Sequence, residues 1–314
     1  MRKIFLGALV ALFSFSQLYA AGIQPVKSLL LYPQGQNVDA GIVEDGVAVT
    51  LGPLESNGWE GMLHENPNRE QVYDHVADGA RIDIYLPEHP NGQMVVVCPG
   101  GGYWNVCSNF EGSKVAAWMA ERGIATCVLI YRLPNHHCQV PLRDVQNAFR
   151  YCRHHAAEWG VRQIGVMGFS AGGHLAASAS TLFVDDVTRP DFSVLVYPVI
   201  TFGIATHGGT RGNLLPEGGD DALQEYYSLE NRVTAATPPA FIVLSQDDKA
   251  VPPINGISYY QRMIDCGVQG ELHIFTEGGH GWGFGPFEGD DPLGASRRIA
   301  LNVALVRWLE SIRR

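Results

Sequence analysis

Ser170 stands in Gly168-Phe169-Ser170-Ala171-Gly172, a G-x-S-x-G pentapeptide. That spacing suits a nucleophile on a sharp strand-to-helix turn, where only small residues two positions either side leave room for the backbone. A serine hydroxyl is a weak nucleophile until a base takes its proton, and the base needs a third group to orient it. His280, in the run Gly278-Gly279-His280-Gly281-Trp282-Gly283, has flanking glycines that let a loop carry an imidazole back over a sheet. The other histidines have poorer contexts. His136 and His137 fall in a polar loop and His154 and His155 on a helix face. His174, one turn into the helix after Ser170, reads as a hydrogen-bonded structural residue. For the orienting carboxylate, Asp247 and Asp248 compete, and the order Ser, Asp, His admits either. The chemistry these residues can do together is acyl transfer.

Acyl transfer needs donors for the oxyanion. Cys98-Pro99-Gly100-Gly101-Gly102-Tyr103 supplies a glycine-rich turn whose backbone N–H groups, with that of Ala171, can form them. Tyr103, Trp104 and Trp282 flank these segments, where aromatic rings either stack on a sugar, wall an acyl pocket or simply pack. Glu111 and Arg132 follow strands at the same end, as a structural ion pair or as ligand contacts. No H-E-x-x-H motif occurs, and the Asp doublets at 185–186, 220–221 and 290–291 read as solvated turns, so neither a metal nor any other cofactor is expected.

Elements of a particular kind must position such residues. Arg81–Leu86 alternates as a strand, Met94–Cys98 is a continuous apolar strand, and Ser113–Arg122 is a helix closed by Gly123. Ile124–Tyr131 is the next strand and Leu142–Trp159 a helix ended by Gly160. Gln163–Met167 is a strand that enters a helix over Ala171–Ala179, and Ser193–Tyr197 is a strand. Residues 202–238 break the alternation and read as a lid-like insertion, in which Thr206, His207 and Arg211 are the polar candidates. Phe241–Leu244 and Glu271–Phe275 complete the strands, Ile257–Cys266 is helical, and a last helix carries Ile299, Val303 and Val306 on one face. Alternation of this kind predicts an α/β fold: a mainly parallel, twisted sheet with helices on both faces. Ligands of such sheets bind beyond the carboxyl ends of the strands, and every motif above follows a strand.

The first 20 residues stand apart. Arg2 and Lys3 precede an apolar run from Ile4 to Phe15, and Ala20 and Ala21 offer a small-residue cleavage point, the pattern of a signal peptide. Export to the periplasm or the extracellular space is the expectation, with no membrane span in the mature chain. Residues 21–75 read as an irregular arm and 76–314 as one domain. The full chain carries a formal charge of −10, and loss of the leader makes the remainder more acidic. That balance opposes nucleic acid or an anionic membrane as partner. The six cysteines do not read as a disulfide framework, although an oxidising compartment would permit pairing: Cys98 and Cys127 lie in apolar strands, Cys107 and Cys138 in loops, and Cys152 and Cys266 on helices.

Taken together, several segments resemble one group of enzymes. They are PGGGY at 99–103, Glu111-Gly112, Tyr131-Arg132-Leu133-Pro134, GFSAGGH at 168–174, Arg189-Pro190-Asp191-Phe192, Tyr197-Pro198-Val199-Ile200, Asp248 with Val251-Pro252, and GGHGWG at 278–283. From about Arg81 to the C-terminus the chain resembles the carbohydrate esterases of the α/β-hydrolase fold, the acetyl-xylan-esterase-like enzymes of glycan-degrading bacteria. The resemblance implies Ser170, Asp248 and His280 as catalytic residues, Asp248 rather than Asp247 as the carboxylate, and Gly101, Gly102 and Ala171 as the oxyanion hole. It implies an acylated glycan or small ester as substrate and removal of acetyl groups. A feruloyl-type esterase, a small serine peptidase and a non-catalytic glycan-binding protein on the same fold are the competing expectations.

Overall fold

In the computed structural model the described residues are 24–31, 42–44, 47–49, 80–216, 220–285 and 291–314. The leader at 1–20 and most of the arm at 21–75 lie outside them. The core is an eight-stranded sheet. In chain order its strands are β1 (Lys27–Leu30), β4 (Arg81–Tyr85), β5 (Gln93–Cys98), β6 (Ala125–Ile130), β7 (Gln163–Phe169), β8 (Ser193–Val196), β9 (Ala240–Ser245) and β10 (Gly270–Phe275). The two short strands β2 (Ile42–Glu44) and β3 (Val47–Val49) pair only with each other. Across the sheet the order is β1-β4-β6-β5-β7-β8-β9-β10. β1 with β4 and β4 with β6 run antiparallel, and every pairing from β6 through β5 to β10 is parallel.

The central strands explain this placement. β5, β6, β7 and β9 are buried along their whole length, as continuous apolar runs covered on both faces must be. The helices are α1 (Lys114–Ala120), α2 (Gln139–His155), α3 (Ser170–Thr181), α4 (Gly208–Leu214), α5 (Asp221–Tyr226), α6 (Ile254–Asp265) and α7 (Pro292–Ile312), of which α1, α2, α3, α6 and α7 pack on the sheet. β5 and β7 are direct neighbours, with Cys98 opposite Gly168. The glycine-rich turn after one and the pentapeptide after the other therefore emerge side by side.

Four expectations change. Lys27–Leu30, within the stretch read as irregular, is a strand that extends the sheet by pairing with β4. The helix expected from Ser113 begins as a π-type turn over Asn109–Ser113 before α1, which buries Glu111. The insertion at 202–238 is not merely irregular: it holds α4, α5 and a 3-10 turn at Leu229–Arg232. In α7, Ile299 and Val303 face outward, and the packed residues are Leu301, Leu305, Trp308 and Leu309. Among the described residues no helix is long and apolar enough to cross a membrane.

Candidate active site

Ser170 occupies the turn between β7 and α3 with φ +53, in the left-handed region that a non-glycine residue enters at a cost. The surrounding glycines make that turn possible. A side chain on Gly168 would overlap the carbonyl of Gly172, and one on Gly172 would overlap the carbonyl of Cys98. The carbonyl of Ser170 is tied down by the N–H of Val199 at 3.0 Å. The hydroxyl is thereby lifted clear of the sheet and into an open cleft of about 510 Å³.

His280 lies in the loop after β10, and its Nε2 is 2.8 Å from Ser170 Oγ. Its Nδ1 is 2.7 Å from Asp248 Oδ2. A carboxylate can only accept, so Nδ1 carries the proton and Nε2 is left to take one from the serine. Asp248 is held in turn. Its other oxygen accepts the N–H groups of Ala250 and Val251, both at 2.9 Å, and its side chain is almost wholly buried. Asp247 points the other way. It accepts the N–H of Gly279 at 2.8 Å and so fastens the histidine loop from outside. That N–H holds the Asp247 carboxyl below its usual range.

On the other side of Ser170 stand Gly101 and Gly102, with φ of +134 and +67. Both line the cleft, and among the described residues neither of their N–H groups has a hydrogen-bond acceptor. Gly100, by contrast, gives its N–H to Glu111 at 2.7 Å. Ala171 is buried in the first turn of α3, where backbone N–H groups have no partner within the helix. The three predicted donors thus come from two segments, the glycine turn that lines the cleft with Ser170 and the residue that follows Ser170.

The aromatic expectations divide. Trp104 is 49 % exposed and lines the cleft. Tyr103 is 1 % exposed and turned inward, its hydroxyl 3.1 Å from His174 Nδ1, so it packs rather than meeting a ligand. Trp282 is 5 % exposed and donates Nε1–H to Ser245 Oγ at 3.0 Å, which likewise places it in the packing beneath the histidine loop. His174 donates Nε2–H to the Tyr227 carbonyl at 2.9 Å, a structural role, and burial lowers its pKa to about 4. Of Thr206, His207 and Arg211, His207 lines the cleft, as does Asn213 of the same insertion, while Arg211 donates Nη1–H to the Phe202 carbonyl at 2.8 Å.

Glu111 and Arg132 do not pair with each other. Arg132 forms a buried bridge to Asp144 at 2.6 Å. Glu111 accepts Gly100 N–H and, through Oε1, the Tyr197 hydroxyl at 2.7 Å. Tyr197 in turn accepts the N–H of Gly283 at 2.9 Å, and its ring meets that of His280 edge-on at 4.9 Å. One buried carboxylate, raised in pKa by its burial, therefore ties the glycine turn to the histidine loop. Motif reading alone does not reveal that role, because its partners lie on three separate segments. The Glu111-Gly112 and Tyr197-Pro198 pairs are the only sequence signal.

An eight-stranded, mainly parallel sheet with a strained serine turn at the carboxyl end of β7 is the α/β-hydrolase fold. Comparison narrows the class, since residues 82–189 match the BD-FAE family model. The chain is 41 % identical over 213 residues to an acetylxylan esterase of Xylanibacter ruminicola, covering 66 % of this chain and 44 % of that one. It is 34 % identical over 241 residues to endo-1,4-beta-xylanase B of Butyrivibrio fibrisolvens, covering 70 % and 38 %. The chain thus spans less than half the length of these curated relatives. Among solved structures it superposes on an acetyl ester-xyloside bifunctional hydrolase from Caldicellulosiruptor lactoaceticus with a TM-score of 0.72 and 29 % identity, covering 93 % of this chain and 98 % of that one.

Proposed function

We propose that the chain is a serine carboxylesterase that removes small acyl groups, acetyl above all, from a polysaccharide or its fragments. The observation that carries this is the relay Ser170–His280–Asp248, at 2.8 and 2.7 Å, facing two free backbone donors in an open cleft. Ser170 attacks the ester carbonyl as His280 takes its proton. The oxyanion rests against the N–H groups of Gly101, Gly102 and Ala171. His280 then returns the proton to the leaving alcohol, and water releases the acyl group by the same steps in reverse.

The glycan assignment draws on the acetylxylan esterase of Xylanibacter ruminicola. Export to the periplasm or beyond draws on the Arg2-Lys3 start and the apolar run behind it. The test is acetate release from acetylated xylo-oligosaccharides together with a series of p-nitrophenyl esters of rising acyl length. Activity is expected to be highest on acetyl esters and to vanish in Ser170→Ala. A preference for long or aromatic acyl groups, or retention of activity by Ser170→Ala, overturns the reading.

A further inference from the structure

The insertion lines the cleft with two polar side chains: Asn213, whose Nδ2–H goes to the Gly102 carbonyl, and His207, whose hydrogen bonding decides what it can do. His207 caps the short helix α4. Its Nδ1 accepts the backbone N–H of Thr210 at 3.1 Å and lies 2.8 Å from the Thr210 hydroxyl. Thr210 is fully buried, so its N–H has no water to turn to and the bond holds the ring in place. A ring nitrogen that accepts a backbone N–H has no proton of its own. In the neutral imidazole the proton is then on Nε2. Among the described residues Nε2 makes no hydrogen bond, and it lies on the far side of the ring from the cap. Partial burial, and after it the neighbouring His280, holds the His207 pKa below the usual histidine range, which keeps the ring neutral.

The position of this donor points to its acceptor. His207 lines the same cleft as Ser170, His280, Gly102 and Trp104. Its Cε1 is 3.9 Å from where a side chain on Gly102 would begin. The insertion is pinned to that glycine turn, because Asn213 donates Nδ2–H to the Gly102 carbonyl at 2.9 Å. The acyl oxygen is already provided for by the backbone N–H groups. His207 and His280 line the same cleft, so a donor there can serve the leaving alcohol, to which His280 returns its proton.

We propose that His207 is a specificity-determining residue that donates Nε2–H to an oxygen on the alcohol half of the ester. A sugar offers such an oxygen beside the reacting one, and a simple aryl or alkyl ester does not. Trp104 lines the same cleft and is half exposed, an aromatic surface on which that sugar can rest. This inference rests on the esterase reading above and adds which part of the protein selects a sugar.

The variant that separates this role from a structural one is His207→Asn. Asparagine is a strong N-cap, so its Oδ1 can serve Thr210 while the far donor disappears. The measurement is kcat/KM on an acetylated xylo-oligosaccharide and on p-nitrophenyl acetate. The ratio of the two is expected to fall by about fivefold to tenfold, mostly through KM, as loss of one hydrogen bond predicts. Gly209→Ala is the second variant. Its methyl would stand 3.2 Å from the His207 Cε1 and crowd the ring while leaving His207 itself unchanged, so the same ratio is expected to fall. Calorimetric binding of the sugar ester to Ser170→Ala, with and without His207→Asn, reads the contact apart from turnover and is expected to weaken by the same factor. An unchanged ratio with unchanged binding overturns the role of His207 while leaving the esterase reading intact. A wild-type protein that hydrolyses p-nitrophenyl acetate but no acetylated sugar overturns both.

Discussion

The two neighbouring aspartates after β9 show how one position separates two roles. Asp248 turns inward to Nδ1 of His280, and Asp247 turns outward to the N–H of Gly279. Replacing Asp248 by Asn offers the imidazole a group that can donate as well as accept, so the wrong tautomer becomes available and Nε2 no longer has a free lone pair. A fall of about 10³–10⁴ in kcat is expected, with KM little changed. Asp247→Asn keeps an acceptor for Gly279 and is expected to cost less than about tenfold, because it loosens a loop without altering the relay. Steady-state kinetics of both on p-nitrophenyl acetate check this, and equal losses would show that the pair acts as one. The serine and the histidine were legible from their glycine-flanked motifs, because strain and close approach demand small neighbours. The choice between the aspartates was not legible from spacing, since adjacent residues on a turn can point in opposite directions. Aromatic orientation was equally hidden. Tyr103, Trp104 and Trp282 share a neighbourhood in sequence, yet only Trp104 meets the cleft.

At the scale of elements, α3 joins the serine turn to the rest of the molecule through His174. Its imidazole accepts from Tyr103, which follows the glycine turn, and donates to Tyr227 in the insertion. It stacks on Phe202 at 4.4 Å between ring centres. The unfolded chain protonates this histidine near 6.5, whereas the folded protein resists until about 4. Between those values the unfolded form binds more protons, so folding stability falls as the pH drops from about 6.5 towards 4 and this contribution is flat below. The loss amounts to about 3 kcal/mol. Urea unfolding across that pH range is expected to show it, and His174→Gln to flatten the curve by a comparable amount. Identical slopes in the two proteins would remove His174 from the account. Sequence periodicity found the order of these elements well, because parallel strands buried on both faces read as unbroken apolar runs. It erred on α7, where Leu and Val occupy more than one stripe and the packed stripe is set by the sheet rather than by the helix itself.

For the molecule as a whole, the sheet was readable as a class while its edges were not. β1 joins by antiparallel pairing with a strand some fifty residues later, a non-local contact that leaves no periodic trace. The insertion was visible as a break in alternation, but its short helices and the pin from Asn213 to Gly102 depend on contacts across the chain. The strained turn at Ser170, with φ +53, has a consequence for the protein's resistance to heat. A β-carbon in that backbone region costs about 1–2 kcal/mol, a penalty that glycine escapes. If Ser170 is the nucleophile proposed above, the fold holds it at the expense of thermal endurance, and Ser170→Gly is expected to be inactive yet to melt a few degrees higher than the wild type. Differential scanning calorimetry of the two proteins would reveal whether activity and durability are in opposition at this one residue.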